Sequence, residues 1–176
     1  MNPLQRIIGL RRYLCPGGGI RFFQVAAARW EDGLDRLWTY YLRVIGPCFC
    51  IQIGKSSLIR RGAQLSTRHG GSVRIGERCE ILAGGRVSTH GGIIEIGDSC
   101  SLNPGCISCG HGGLTLGRGV HVAAYTVIIP SNHIFSDREQ FIFEQSEISH
   151  GIVSKGDVWI GAQCGIWEGS GLRKVV

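Results

Sequence analysis

Ile75-Gly76-Glu77-Arg78-Cys79-Glu80-Ile81-Leu82-Ala83-Gly84-Gly85-Arg86-Val87 (residues 75–87) is the stretch on which the fold turns. Its apolar anchors Ile75, Ile81 and Val87 stand six residues apart, a period that marks neither a plain alternating strand nor a helix face. The same hexads appear before and after it: Ile53, Ile59, Leu65, then Ile96, Leu102, Ser108, then Leu116, Val122, Ile128. An apolar residue followed by Gly recurs at Ile53-Gly54, Ile75-Gly76, Ile96-Gly97 and Leu116-Gly117, in steps of 22, 21 and 20 residues. Three hexads and a short insertion make each step. This is the signature of a parallel β-helix, with three short strands and three corners per coil. Successive coils stack about 4.8 Å apart. Residues 51–176 are therefore expected to form one hexapeptide-repeat β-helix domain.

The repeat breaks at Pro130. A polar and aromatic segment, Ser131-Asn132-His133-Ile134-Phe135-Ser136-Asp137, opens an expected extruded loop over residues 131–153, and the apolar-Gly pair resumes at Ile160-Gly161. Long loops inside compact domains are usually functional. In I-G-x-x-C, the fifth position holds Ser57, Cys79, Cys100, Val120 and Cys164, which reads as an inward slot for small residues. His69, His90 and His111 precede Gly-Gly at 21-residue intervals and should stack on one edge. A further 22 residues reaches His133, the rung at which the loop replaces Gly-Gly. Parallel stacked rings converge poorly on one ion. Cys106-x-x-Cys109 and Cys48-x-Cys50 lack a second half at finger spacing, so no metal is expected.

Residues 1–19 read as a mobile leader ending in Pro16-Gly17-Gly18-Gly19, and residues 20–46 as an N-terminal helix stopped by Gly46-Pro47. Phe23, Ala27, Trp30, Leu34, Leu37, Tyr41 and Ile45 share one face, with Arg21, Arg29, Arg36 and Arg43 in a second, basic stripe. Two uses fit such a helix. It packs on its own domain or a neighbouring subunit, or it lies on an anionic bilayer as a peripheral contact. The first 46 residues hold seven Arg and three acids, and so supply +4 of the net +6. That charge is local and moderate, and no nucleic-acid-binding motif accompanies it. The eight Cys follow no secretory signal, which points to reduced thiols in the cytoplasm, at or near the inner face of the membrane.

With these repeats, Asn132-His133 before a loop, and Asp157-Val158-Trp159-Ile160-Gly161-Ala162, the chain resembles the hexapeptide-repeat acyltransferases, the left-handed parallel β-helix superfamily. Within it the resemblance is to the sugar O-acetyltransferases of the maltose, galactoside and nodulation-factor group and their polysaccharide-modifying relatives. The resemblance implies an all-β, left-handed parallel β-helix with an N-terminal helix and one extruded loop. It implies acetyl-CoA as acyl donor, a saccharide hydroxyl as acceptor, and a role in cell-surface polysaccharide or lipopolysaccharide modification. It also implies a homotrimer with its sites between neighbouring prisms. On this pattern His133 is the general base and Asn103 holds the acceptor. Trp159 lines both acceptor and coenzyme sides, and Gly161 and Ala162 face the coenzyme. Glu144 stands where the family loop carries a carboxylate. A neutral imidazole suits the task, because a sugar hydroxyl must lose its proton as it attacks. No acyl-enzyme is required, so no Cys need be a nucleophile.

The chain departs from the pattern twice. Ser154-Lys155 stands where an aliphatic residue and Gly are usual, and Arg173-Lys174-Val175-Val176 does not read as a further hexad. Family members continue for one or two more coils, so the C-terminal coils are expected to be missing. Two other readings follow: a non-catalytic scaffold remnant of the same fold, and a γ-carbonic-anhydrase-like metalloenzyme.

Overall fold

The computed structural model describes residues 18–172. The expected leader up to residue 17, the tail at 173–176 and the side chains of Arg21 and Phe23 lie outside the described residues. A helix, α1 (Gly18–Ile45), leads through a short 3-10 turn (Gly46–Phe49) into the solenoid. Pro47 starts that turn, and Cys50, at φ 55°, swings the chain into the first strand.

The first coil is β1 (Ile51–Ile53), β2 (Leu58–Ile59) and β3 (Gln64–Ser66). The second is β4 (Ser72–Ile75), β5 (Glu80–Ile81) and β6 (Arg86–Ser88). The third is β7 (Ile93–Ile96), β8 (Ser101–Leu102) and β9 (Ile107–Cys109). The fourth is β10 (Leu114–Leu116), β11 (His121–Val122) and β12 (Val127–Ile129). A hairpin, β13 (Asn132–His133) and β14 (Glu147–Ile148), interrupts before β15 (Ile152–Ser154), β16 (Trp159–Ile160), β17 (Gly165–Trp167) and β18 (Gly171–Leu172). The result is a left-handed parallel β-helix of about six turns. Its first face is β1-β4-β7-β10-β15-β18, its second β2-β5-β8-β11-β16, and its third β3-β6-β9-β12-β17.

Inward positions repeat in columns. Ile53, Ile75, Ile96 and Leu116 are register partners in one column, followed by Ser154 and Leu172. Ile59, Ile81, Leu102, Val122 and Ile160 form a second. Each such fully buried Ile or Leu contributes about 1.5–3 kcal/mol. The second column corrects the expected register. Ile160 belongs to the second face, stacked on Val122, and Ser154-Lys155 occupies the Ile-Gly slot of the fifth coil. The small inward slot then continues through Val158, whose carbonyl accepts from His121 N–H, rather than through Cys164. Cys164 sits one corner on, beside Thr126 and Val127. All seven described cysteines are free thiols.

The Ile-Gly glycines are demanded by stacking rather than by backbone torsion. A Cβ on Gly97 would lie 2.8 Å from Arg118 N and from Gly117 C, backbone atoms of the next coil. The neighbouring slot uses that tightness. Ser57 donates its hydroxyl to Gly76 O (2.6 Å), and the thiols of Cys79 and Cys100 donate to Gly97 O (3.0 Å) and Gly117 O (3.1 Å).

α1 docks by a face other than the expected one. Trp30, Leu37 and Tyr41 are exposed, at 72%, 67% and 52%. The buried positions are Asp35 and Thr39, with Leu34, Trp38, Leu42 and Arg43 half-buried beside them. Thr39 accepts from Ile59 N–H (2.8 Å), and Arg43 donates to Ile53 O (3.1 Å) and Gly54 O (2.8 Å). Asp35 accepts from the Arg61 backbone N–H (2.9 Å) and pairs with the Arg60 and Arg61 guanidiniums, both at 3.1 Å. The first coil offers unpaired backbone groups on its open side, and polar side chains answer them. Of the described residues in the expected apolar stripe only Leu34 and Ile45 are half-buried; Trp30, Leu37 and Tyr41 face solvent.

Candidate active site

The hairpin leaves the prism at the corner between the third and first faces, directly above the His111 corner. Its base is pressed onto that corner: a Cβ on Gly112 would lie 3.0 Å from Ser149 C, and one on Gly151 would lie 2.8 Å from Gly112 O. Gln145 stitches the loop together, donating to Asp137 O (2.9 Å) and Gln140 O (3.2 Å) and accepting from Asp137 N–H (3.2 Å). Beyond these bonds Phe135, Phe141 and Phe143 are exposed, and the last two stack at 5.6 Å.

His133 is exposed on β13, and the antiparallel register sets it opposite Glu147 on β14. The sequence pattern points to Glu144, not Glu147, as the loop carboxylate. Glu144 lies three positions away in the exposed turn Ile142–Glu144. The neighbouring Ser131 hydroxyl lowers the pKa of the Glu147 carboxyl; burial works against this, and the imidazoles of His111, His133 and His90 lower it further. Glu147 is therefore ionised at neutral pH, facing a cluster of histidines.

Those histidines stack as the 21-residue spacing requires. The His69 and His90 rings lie 5.9 Å apart and those of His90 and His111 4.2 Å apart, within 14° of parallel. Burial, then the neighbouring imidazoles of His111 and His69, push the His90 pKa down. Cys109, 8% exposed at the end of β9, completes a group with His90 and His111 whose donor atoms lie within 4.8 Å of one another.

The remaining named residues sit elsewhere on the prism. Asn103 is half-buried just after β8, where its Nδ2 donates to Val122 O (2.8 Å). Its side-chain carbonyl is what remains for a ligand. Trp159 stands on β16, 77% exposed, in register with His121, whose Nδ1 lies 2.7 Å from Ser101 Oγ. Gly161 and Ala162 follow at the corner between the second and third faces, and Thr126 donates to Gly161 O (2.7 Å). Within one chain, then, His133 lies at one edge, while Asn103, Gly161 and Ala162 lie at another. A cleft of about 500 Å³ between α1 and the first two coils is lined by Arg36, Arg43, Arg78 and Glu80, and by none of these site residues.

Coils, corners and the hairpin define the fold as a left-handed parallel β-helix of hexapeptide repeats. Among solved structures the chain is similar to AntD, an N-acyltransferase from Bacillus cereus in complex with dTDP and 3-hydroxybutyryl-CoA. The identity is 20%, over 76% of this chain and 70% of that chain, with a TM-score of 0.53. A point mutant of AntD in complex with dTDP and coenzyme A aligns at 20% identity over 75% of this chain and 70% of its own, with a TM-score of 0.48. No family model and no curated protein matches the sequence. The likeness to AntD is one of fold.

Proposed function

We propose that the protein is an acyl-CoA-dependent acyltransferase that moves an acetyl group from acetyl-CoA to a saccharide hydroxyl, with His133 as general base. The observation that carries this reading is His133 in register with Glu147 on the one segment that leaves the prism. A carboxylate beside an imidazole orients it and stabilises the imidazolium that forms as it takes a proton. The acceptor oxygen attacks the thioester carbonyl carbon while His133 takes the hydroxyl proton. The tetrahedral oxyanion then collapses, the C–S bond breaks, and the imidazolium returns its proton to the departing coenzyme A thiolate. The binding of 3-hydroxybutyryl-CoA by AntD, a protein of like fold, supports a coenzyme A thioester as donor.

Trp159, Gly161 and Ala162 are proposed for the coenzyme side, Asn103 for the acceptor, with Trp159 shared between them. Their separation from His133 on the single prism supports a homotrimer in which one chain's hairpin meets its neighbour's corner. The exposed Phe135, Phe141 and Phe143 suit burial in such a contact. No helix among the described residues is long and apolar enough to cross a membrane. The exposed stripe Trp30, Leu37, Tyr41 and Val44 supports peripheral contact with an anionic bilayer, on the cytoplasmic side if the acceptor is a precursor of cell-surface polysaccharide.

AntD acts on nitrogen, which favours an amine acceptor as a second reading. Incubation with acetyl-CoA and matched hydroxy- and amino-sugars, followed by mass spectrometry, separates the two. Hydroxylamine cleaves an ester product and leaves an amide intact. An acetylated sugar that resists hydroxylamine replaces the O-acetyl reading, and no product from any sugar counts against both.

A further inference from the structure

We propose that His90, Cys109 and His111 bind a zinc-class divalent metal ion at the floor of the hairpin. Cys109 and His111 are two residues apart at the end of β9, and His90 reaches them from the coil below through the 4.2 Å ring stack. The three donor atoms lie within 4.8 Å of one another. A tetrahedral zinc site, with Zn–S near 2.3 Å and Zn–N near 2.1 Å, places its donors roughly 3.5 Å apart. Because parallel rings aim their nitrogens side by side, closing that difference requires the exposed His90 ring to tilt out of its stack on His111 so that the two nitrogens converge.

An independent observation points to a ligand here. His111 Nδ1 is buried and has no hydrogen-bond partner among the described residues. A buried polar atom left unpaired costs about 1–3 kcal/mol, and an ion is one of the explanations such an atom calls for. Two imidazoles and a thiol are the donor set that selects zinc or cobalt over magnesium or calcium. Glu147, whose charge reaches His90 and His111, adds the negative field that a divalent cation needs. On binding, Cys109 releases its proton to solvent and coordinates as thiolate. The ion would tie two coils together under the point where the hairpin leaves.

The test uses the full chain, stripped of metal and titrated with Co²⁺ while thiolate-to-cobalt absorption is followed, with elemental analysis of protein purified without chelators. One ion per chain and a thiolate band are expected. Cys109→Ser should abolish the band, and His90→Asn should weaken binding at least a hundredfold. His69→Asn, on the same stack outside the cluster, should bind as the parent does. His90 is exposed and at φ 45°, a torsion that Asn tolerates, so that variant reports on the site even if Cys109→Ser folds poorly. A folded parent chain that shows no thiolate band at excess Co²⁺ overturns the proposal. So does a His90→Asn variant that binds as tightly as the parent. Neither outcome depends on acyl transfer.

Discussion

His133 carries the functional reading, and its neighbours decide how it is tested. His133→Ala should lower turnover by about 10² or more, the usual contribution of a general base. Acetyl-CoA affinity, read by calorimetry, should change little, because the base acts on the acceptor. Glu147→Gln should lower kcat by a smaller factor, and Asn103→Ala should chiefly raise the acceptor KM. His69→Ala, three coils below, should leave turnover unchanged. Turnover that survives His133→Ala intact removes the assignment. The stack of His69, His90 and His111 could be read from the sequence because 21-residue spacing is a property of the chain alone. Glu147 could not, because its partnership with His133 depends on how the two ends of the loop fold back on each other. Paired with Cys106, Cys109 is set aside in the sequence for a similar reason: the donor atoms near it belong to histidines of its own and the neighbouring coil, not to a second pair of cysteines.

At the level of elements, α1 is held by charge and hydrogen bonds. Burial pushes the Asp35 carboxyl up, but the Arg61 N–H and the Arg60 and Arg61 guanidiniums together hold it below the ordinary carboxylate range. Asp35→Asn should destabilise the protein by about 2 kcal/mol or more, as the loss of a buried, paired charge does. A carboxyl with a depressed folded-state pKa adds stability that is complete above its unfolded value, near 4, and disappears as pH falls through the folded value. The gap in urea midpoint between the parent and Asp35→Asn should therefore be constant above about pH 5 and shrink below pH 4. A gap that does not vary with pH would mean that packing, not charge, holds the helix. The presence of this helix was legible in its apolar spacing, but its docking face was not. Spacing finds the hydrophobic stripe, and this prism end presents backbone polar groups that want Asp, Thr and Arg. The strands were the easier case, since each hexad must bury its aliphatic residue on the hexads above and below.

For the whole molecule, the separation of His133 from Asn103 within one chain makes an assembly testable by mixing. Chains carrying His133→Ala and chains carrying Asn103→Ala should each be poor at low acceptor concentration. Co-expressed, random trimers would restore about a quarter of their sites, because a cyclic interface can then draw an intact residue from each neighbour. No recovery in verified mixed trimers would place the whole site within one chain. Sedimentation with anionic vesicles tests the exposed stripe of α1. Binding should fall as salt rises and weaken in Trp30→Ala with Leu37→Ala. Equal recovery in the supernatant with and without vesicles rules the contact out. The coil boundaries on which the mixing test rests were legible up to Ile129. Past the hairpin the chain re-enters at the first face with Ser154, so the next apolar-Gly pair, Ile160-Gly161, falls on the second face instead of the first.

The polar cap that α1 lays over β1 and β2 also decides how copies of this protein can meet. A bare solenoid end is a template: another coil of matching width can pair with it, and the resulting rod can grow into a filament. Here Thr39 and Arg43 already occupy the backbone groups of Ile53, Gly54 and Ile59 that an incoming coil would need. Head-on polymerisation through the first coil would require the chain to displace its own helix, which leaves side-by-side contact between prism faces as the easier mode of association.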